Sequence, residues 1–523
     1  MLNVLLWTPL AVGLLVALLP RRAAAPVSLL GSLITLALAI ALVVDFDSST
    51  PGLQHLVDES WIPQLGVRYQ LGVDGISLFL VLLTALLWTA SFAFSLWRQP
   101  TRPRNYYFQL GLAETATLGA FLAQDLLLFV LFFDLMLVPF FFLIGSYGTG
   151  NRIAATVKMM IYTLVGSLLM LVGAIATAIL VSQQTGDLSF ALADLRANPL
   201  GAGTQAWIFC FFAAAFLVKM PAVPLHGWLA DAYRAAPLPV LALLSGVLSK
   251  VGAYGFLRVV MPLYPDATLE FQELVMVLAT ASVLYGSVMA FTQTNVRLIA
   301  GYSSVAQLGF VTLGLFALSA DGADGAVLQM VNHGLVVAPI FLIIALLYER
   351  FGTEDLREMG GGAVRAPYLA ALFMIVTMAT LAIPGSANFV GEFYILISVF
   401  QTKVVYAIVA SVGIALAAFY ALRLYQRTMH NRLPEGAQSR EISLRDALVL
   451  TPLVAVIVGL ALHPGLILER GEASVQDKVG AVTAVAEGAE EAIAKVECVE
   501  EAYVSNGEAG EPGVAGVVVE CEE

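Results

Sequence analysis

Apolar runs of about twenty residues follow one another along the chain until about residue 466, parted by short polar or charged loops. A helix of about twenty residues spans the hydrocarbon core of a bilayer. About fourteen such runs are expected as membrane-crossing helices. They lie near 2–20, 27–46, 74–97, 106–123, 126–146, 154–182, 206–224, 238–261, 271–293, 296–316, 325–349, 367–400 (interrupted), 404–428 and 446–466. The chain therefore reads as an all-α polytopic membrane protein. The first run, Leu2–Leu19, has no basic segment ahead of it and no small-residue cleavage site before Arg21, so it reads as a retained helix.

Composition agrees: 59% of the 523 residues are hydrophobic and 12% are charged, about half the charge of an ordinary soluble domain. The few charges sort by loop. Odd-numbered loops carry Arg21 and Arg22, Arg98 to Arg104, Arg152, Arg234, Arg297, Arg350 to Arg365, and Arg423 to Arg445. Even-numbered loops are acidic or neutral, with Arg68, Arg196 and Lys403 as exceptions. Basic loops stay cytoplasmic, so both termini are expected on the extracytoplasmic side of the cell membrane.

From about residue 471 the composition turns to Glu, Gly and Val, which predicts a solvated, disordered tail. No long amphipathic helix is expected after the fourteenth run. Cys498 and Cys521 stand in this tail, either paired in an oxidising compartment or free. Cys210 lies in an apolar run and is expected to be inert. No GxGxxG follows a strand and no cysteines cluster, so no redox centre of the chain's own is expected.

Charges inside the apolar runs are the candidates for chemistry, because a charge at the bilayer centre is costly and marks a pathway. Asp134 lies in Leu126–Ile144, Lys219 in the seventh run, Lys250 in the eighth and Glu392 in the twelfth; Glu114 and His333 are also intramembrane by position. Asp134 and Lys219 are of opposite sign, and pairing lowers the cost of burial. His333 suits a relay because imidazole titrates near neutrality. Lone buried groups of this kind can instead be neutral packing partners.

The seventh and twelfth runs are interrupted, at Pro221/Pro224 and at Pro384-Gly385. Matching interruptions in two halves are the sequence mark of an inverted-repeat transporter. Two inverted five-helix repeats are expected, at 106–261 and 262–430. They are flanked by N-terminal helices at 1–105, a last helix at 431–470 and the tail at 471–523.

Gly72-Val-Asp-Gly-Ile-Ser-Leu78, Phe132-Phe-Asp-Leu-Met-Leu-Val-Pro139, Val218-Lys-Met-Pro-Ala-Val-Pro-Leu-His-Gly-Trp-Leu-Ala-Asp231, Ile299-Ala-Gly-Tyr-Ser-Ser-Val-Ala-Gln-Leu-Gly309 and Ile383-Pro-Gly-Ser-Ala-Asn-Phe-Val-Gly-Glu392 together resemble the antiporter-like subunits of respiratory complex I. The resemblance runs from about residue 1 to 466. It implies proton translocation by Asp134, Lys219, Lys250, His333 and Glu392, with Glu114 a weaker member. It also implies partner membrane subunits and a hydrophilic arm, which hold the NADH, FMN, iron–sulfur and quinone sites. Two departures stand out. Asp134 replaces the family's usual Glu, one methylene longer, leaving room for a bridging water. Gln307 replaces a common His and cannot itself carry a proton. The alternatives are a subunit of a multi-subunit sodium/proton antiporter, and a structural anchor with vestigial charges.

Overall fold

The computed structural model describes residues 1–49, 52–98 and 100–507, with side chains placed up to residue 488. Its helices, in chain order, are α1 (Leu2–Leu18), α2 (Arg21–Asp45), α3 (Gly75–Leu96), α4 (Pro103–Leu122), α5 (Leu126–Tyr147), α6 (Arg152–Thr185), α7 (Ala202–Lys219), α8 (Leu238–Leu263), α9 (Gln272–Thr292), α10 (Val296–Phe316), α11 (Ala320–Phe351), α12 (Pro367–Thr380), α13 (Ala387–Thr402), α14 (Val404–Met429), α15 (Leu444–Leu462) and α16 (Gly465–Gly507). Among the described residues, eleven helices are long and apolar enough to cross a membrane.

Local sequence sets the helix ends. Asp74 and Ser77 form a reciprocal capping box at the start of α3. Asp125 accepts from the Leu128 N–H at 2.9 Å and opens α5. Prolines stand in the first turn of α4 and α12, where no intrahelical N–H is lost. Gly186 and Gly352 end α6 and α11 in the left-handed conformation, with φ of 84° and 71°.

Burial separates the inner helices from the outer ones. The apolar windows of α8 and α10 are wholly buried within the chain, against 33% for α14 and 28% for α15. A helix apolar all round with no exposed face belongs at the centre; the partly exposed ones turn their apolar surface outward, to lipid or to neighbouring chains.

Two features differ from expectation. An antiparallel hairpin, β1 (Gln54–Ile62) with β2 (Val67–Val73), stands between α2 and α3. The tail from residue 471 begins as packed helix, and α16 is the long helix that was not expected. Ile467, Val475, Val479 and Val482 are buried on one of its faces. The Gly75 N–H donates to Ser474 Oγ at 3.1 Å, and Arg196 pairs with Asp477 at 2.9 Å. Spacings of three and four residues make this a buried stripe that the surrounding acids mask in composition. Residues 508–523, with Cys521, and the side chain of Cys498 lie outside the described residues, and the expectation about that cysteine pair goes with them. Cys210 is a free thiol on the exposed face of α7.

Candidate functional site

Both interruptions are present. α7 ends at Lys219, and a non-helical stretch with a cis Val223–Pro224 bond leads to a short helix, Leu229–Ala235. Trp228 Nε1 donates to the freed Val218 carbonyl at 3.0 Å, so the break is satisfied by protein, as a membrane interior demands. The second break parts α12 from α13, with Ala382 and Gly385 at φ of 50° and 91°. There Asn332 Nδ2 donates to the Ala387 carbonyl at 2.7 Å.

Lys219 is 5% exposed. Its ammonium lies 3.5 Å from the Phe133 carbonyl and 4.5 Å from the centre of the Phe133 ring. The carboxylate expected to pair with it, Asp134, is the next residue on α5, yet the two do not meet: Asp134 Oδ1 has no hydrogen-bond partner. Asp134 lies in hydrogen-bond contact with Ser167 of α6, and the carbonyl and ring of Phe133 lie against the ammonium instead. A small cavity of about 20 Å³ touches Lys219, Thr163, Trp228, Tyr233 and Ser249. That is room for about one water.

Ser249 leads to Lys250, which is wholly buried. Lys250 sits between two π-helical stretches of α8, Leu244–Leu248 and Phe256–Val260. Such wide turns recur at functional sites because they swing a side chain out of helical register. The glycines of α8 bring it close to α7: a Cβ on Gly252 would lie 2.7 Å from the Phe216 carbonyl. Lys250 Nζ donates to the Ser245 carbonyl at 2.6 Å, lies 3.4 Å from Ser249 Oγ, and shares a 2.8 Å hydrogen bond with His333 Nδ1. An ammonium can give that bond only to an unprotonated Nδ1, which puts the imidazole proton on Nε2. His333 Nε2 is buried and meets no protein partner.

Glu392, on α13, is 4% exposed. Its Oε1 accepts from Gln307 Nε2 at 2.7 Å and from Gln329 Nε2 at 3.4 Å. Among the neighbours of His333 and Glu392 in the chain, and in Gln329, are further buried polar atoms without protein partners: Asn332 Oδ1, both amide atoms of Asn388, Ser386 Oγ and Gln329 Oε1. Glu114, on α4, is 1% exposed, and both its oxygens are also unpartnered. The structure thus joins Lys250 to His333, sets Lys219 across one small cavity from Ser249, and leaves Asp134 and Glu114 without direct contacts to the rest.

Two buried polar features, Gln329 in this network and Arg258 apart from it, were not singled out from sequence. Gln329 is uncharged, so nothing in an apolar run marks it. Arg258 carries a stronger signal, a second basic residue two turns beyond Lys250. It is 4% exposed and bonds to Asp74 and Gln124. Among the described residues, no three His, Cys, Asp or Glu side chains gather as metal ligands.

The fold and this buried line define a polytopic membrane protein with titratable groups strung between broken helices. Residues 123–417 match the family described as NADH:quinone oxidoreductase/Mrp antiporter, TM. The chain is 36% identical to NADH-quinone oxidoreductase subunit M of Rhodobacter capsulatus over 90% of its own length and 94% of that protein's. It is also 36% identical to subunit M of Escherichia coli K12, covering 85% and 91%. It superposes on a chain of respiratory complex I from Thermus thermophilus with a TM-score of 0.85 at 30% identity, covering 92% of this chain and 100% of that one. A chain of the Mrp complex from Dietzia sp. shares the fold, with a TM-score of 0.80 at 23% identity over 92% and 98%. The chain belongs to the NADH:quinone oxidoreductase/Mrp antiporter membrane family.

Proposed function

We propose that this chain is the antiporter-like, proton-translocating subunit of a respiratory NADH:quinone oxidoreductase, in the place that subunit M holds among its relatives. The observation that carries the reading is the Lys250–His333 hydrogen bond, buried within the bundle, with no carboxylate paired to either residue among the described residues. A structural ion pair neutralises its charge; this pair shares one proton between two bases.

The proposed route starts at Lys219. Asp134 favours the ammonium by its charge, through intervening water. When that influence weakens, burial disfavours the ammonium and its proton passes by way of the small cavity and Ser249 to Lys250. Lys250 hands a proton to His333 Nδ1, and the proton on Nε2 leaves from the far side of the ring. Water held by Asn332, Asn388 and Ser386 then carries it to Glu392, since buried polar atoms that lack protein partners are satisfied by water. Glu114 joins as an accessory acid.

The redox chemistry belongs to partner subunits that hold NADH, FMN, iron–sulfur clusters and quinone, and this chain has a non-redox role among them. α1, α4 and the α12–α13 pair join the eleven long apolar helices to make fourteen crossings. The repeats occupy 106–261 and 262–430, inverted with respect to one another, with 1–105, 431–470 and 471–523 around them. The breaks after Lys219 and before Glu392 support that division. A multi-subunit sodium/proton antiporter has the same fold, but the Val73-Asp-Gly-Ile-Ser77 and Pro384 to Glu392 motifs and the subunit M relatives favour the quinone-linked complex.

In membrane vesicles carrying the assembled enzyme, Lys219→Ala or Asp134→Ala is expected to abolish NADH-driven proton uptake while assembly survives. Wild-type pumping by both variants would make these groups structural.

A further inference from the structure

Glu392 is a carboxylate on the buried line that amide side chains hold in place. Two amides do this. Gln329 Nε2 donates to Gln307 Oε1 at 2.7 Å, which turns the other end of the Gln307 amide, its Nε2, onto Glu392 Oε1 at 2.7 Å. Gln329 Nε2 also lies 3.4 Å from the same carboxylate oxygen. All three side chains are nearly fully buried, at 2%, 0% and 4% for Gln307, Gln329 and Glu392. The donors converge on Oε1, and Oε2 takes no part in these bonds.

The backbone is shaped for this contact. Gly391 lies against Gln329: a Cβ there would stand 2.5 Å from Gln329 Oε1 and 3.1 Å from its backbone nitrogen. One turn away on α11, a Cβ on Gly325 would stand 2.9 Å from the Ile395 nitrogen. Two glycines therefore let α11 and α13 approach closely enough for an amide on one to reach a carboxylate on the other.

We propose that Gln329 is a positioning residue for proton transfer at Glu392. It orients Gln307, and the two amides pin Oε1 so that the proton arrives and departs at Oε2. A hydrogen bond from a donor that cannot titrate favours the carboxylate and fixes its geometry without competing for the proton. This explains how a glutamine can stand at position 307 in a proton pathway: it does not carry the proton but holds the group that does. Tyr420, from α14, is the titratable side chain that faces Glu392; the groups facing it from α10 and α11 are these amides. The inference rests on Glu392 being a proton-carrying site.

The test uses membrane vesicles with the whole enzyme, comparing NADH-driven proton uptake per NADH oxidised across the neutral pH range. Gln329→Leu removes the donor at similar volume. Gly391→Ala leaves every polar group in place and displaces Gln329. Both variants are expected to move the acid limb of the pumping profile to higher pH by about one unit, the size of one lost charge-assisted hydrogen bond. An unshifted profile in both variants, or a uniform loss at every pH, overturns the proposal. Glu392→Gln tests the underlying reading separately: if it pumps at the wild-type rate, Glu392 is not a carrier, whatever the other two variants do.

Discussion

On the proposed route Lys250 and His333 act as one unit, because each is the other's 2.8 Å hydrogen-bond partner. Lys250→Met and His333→Leu should each cut proton uptake sharply, since each breaks the same relay. The double variant should be less impaired than the product of the two single effects, by about threefold or more, as is usual for residues in one hydrogen-bonded network. Initial rates of proton uptake in the three variants measure this coupling; strict multiplication would place the two residues on independent routes. Asp134 poses the opposite question. Its carboxylate stops short of Lys219, and Asp134→Glu restores the missing methylene. A pathway that tolerates the gap through water should pump at a rate close to wild type in Asp134→Glu. A large loss on lengthening would mean that the gap itself is required.

The fit between helices decides whether these side chains meet. Gly252 lets α8 lie against the end of α7, with a Cβ position 2.6 Å from Met220 Cγ and 2.7 Å from the Phe216 carbonyl. Gly252→Val should push the Lys250 helix off the Lys219 break. The expected cost is about 1–3 kcal/mol, typical of overpacking, read as a lower thermal midpoint of the assembled complex with reduced pumping. α16 offers a second case. Burial alone would raise the Asp477 carboxyl, but Lys478 and Arg196 beside it outweigh this and hold it below the usual range. A carboxyl lowered in the folded state lends stability at neutral pH that is lost as pH falls through its folded value. Protease sensitivity of residues 465–488 should therefore rise in acid below the ordinary aspartate range, and at neutral pH in Asp477→Ala. Protection equal to wild type in that variant would leave the apolar stripe as the whole attachment. How legible these elements were in the sequence follows from the same physics. Lys219, Lys250 and Glu392 were conspicuous because a charge in an apolar run is rare. Gln329, equally buried, was invisible because an uncharged amide is not. The apolar runs showed their own length, whereas the hairpin is a largely polar segment with most of β1 exposed and lacks the clean alternation that marks a strand. α16 was hidden because four buried apolar side chains among many acids do not alter a composition. The aspartate at 134 left room for a gap to Lys219, but whether the gap is there depends on where two helices pack, which no sequence pattern reports.

Over the described residues, the loop contacts fall into two sets, and the sets are those the basic residues had sorted. At one end, Arg98 pairs with Glu349 at the end of α11 and with Asp446 at the start of α15. Arg297 there pairs with Glu354 and donates to the Ala236 carbonyl, tying the loops before α8, before α10 and after α11. At the other end, the Phe190 N–H donates to the Gly66 carbonyl in the hairpin and the Leu126 N–H donates to the Phe190 carbonyl. Gln205 bonds Asp266, Arg196 bonds Asp477, and Lys403 bonds Glu273. In these contacts odd-numbered loops meet odd-numbered ones, and even-numbered loops meet even-numbered ones or α16, which supports the proposed count of crossings. By its excess of arginine, the proposed orientation puts the first set on the cytoplasmic side. In a chain whose three cysteines are replaced by serine, Ser60→Cys in the hairpin should react with a membrane-impermeant maleimide in intact cells with a permeable outer layer. Glu435→Cys, between α14 and α15, should react only after the membrane is opened. The reverse pattern would invert the orientation. Labelling of both in intact cells would mean that a crossing has been miscounted between them, and the α12–α13 pair, broken in the middle, would be the first to re-examine.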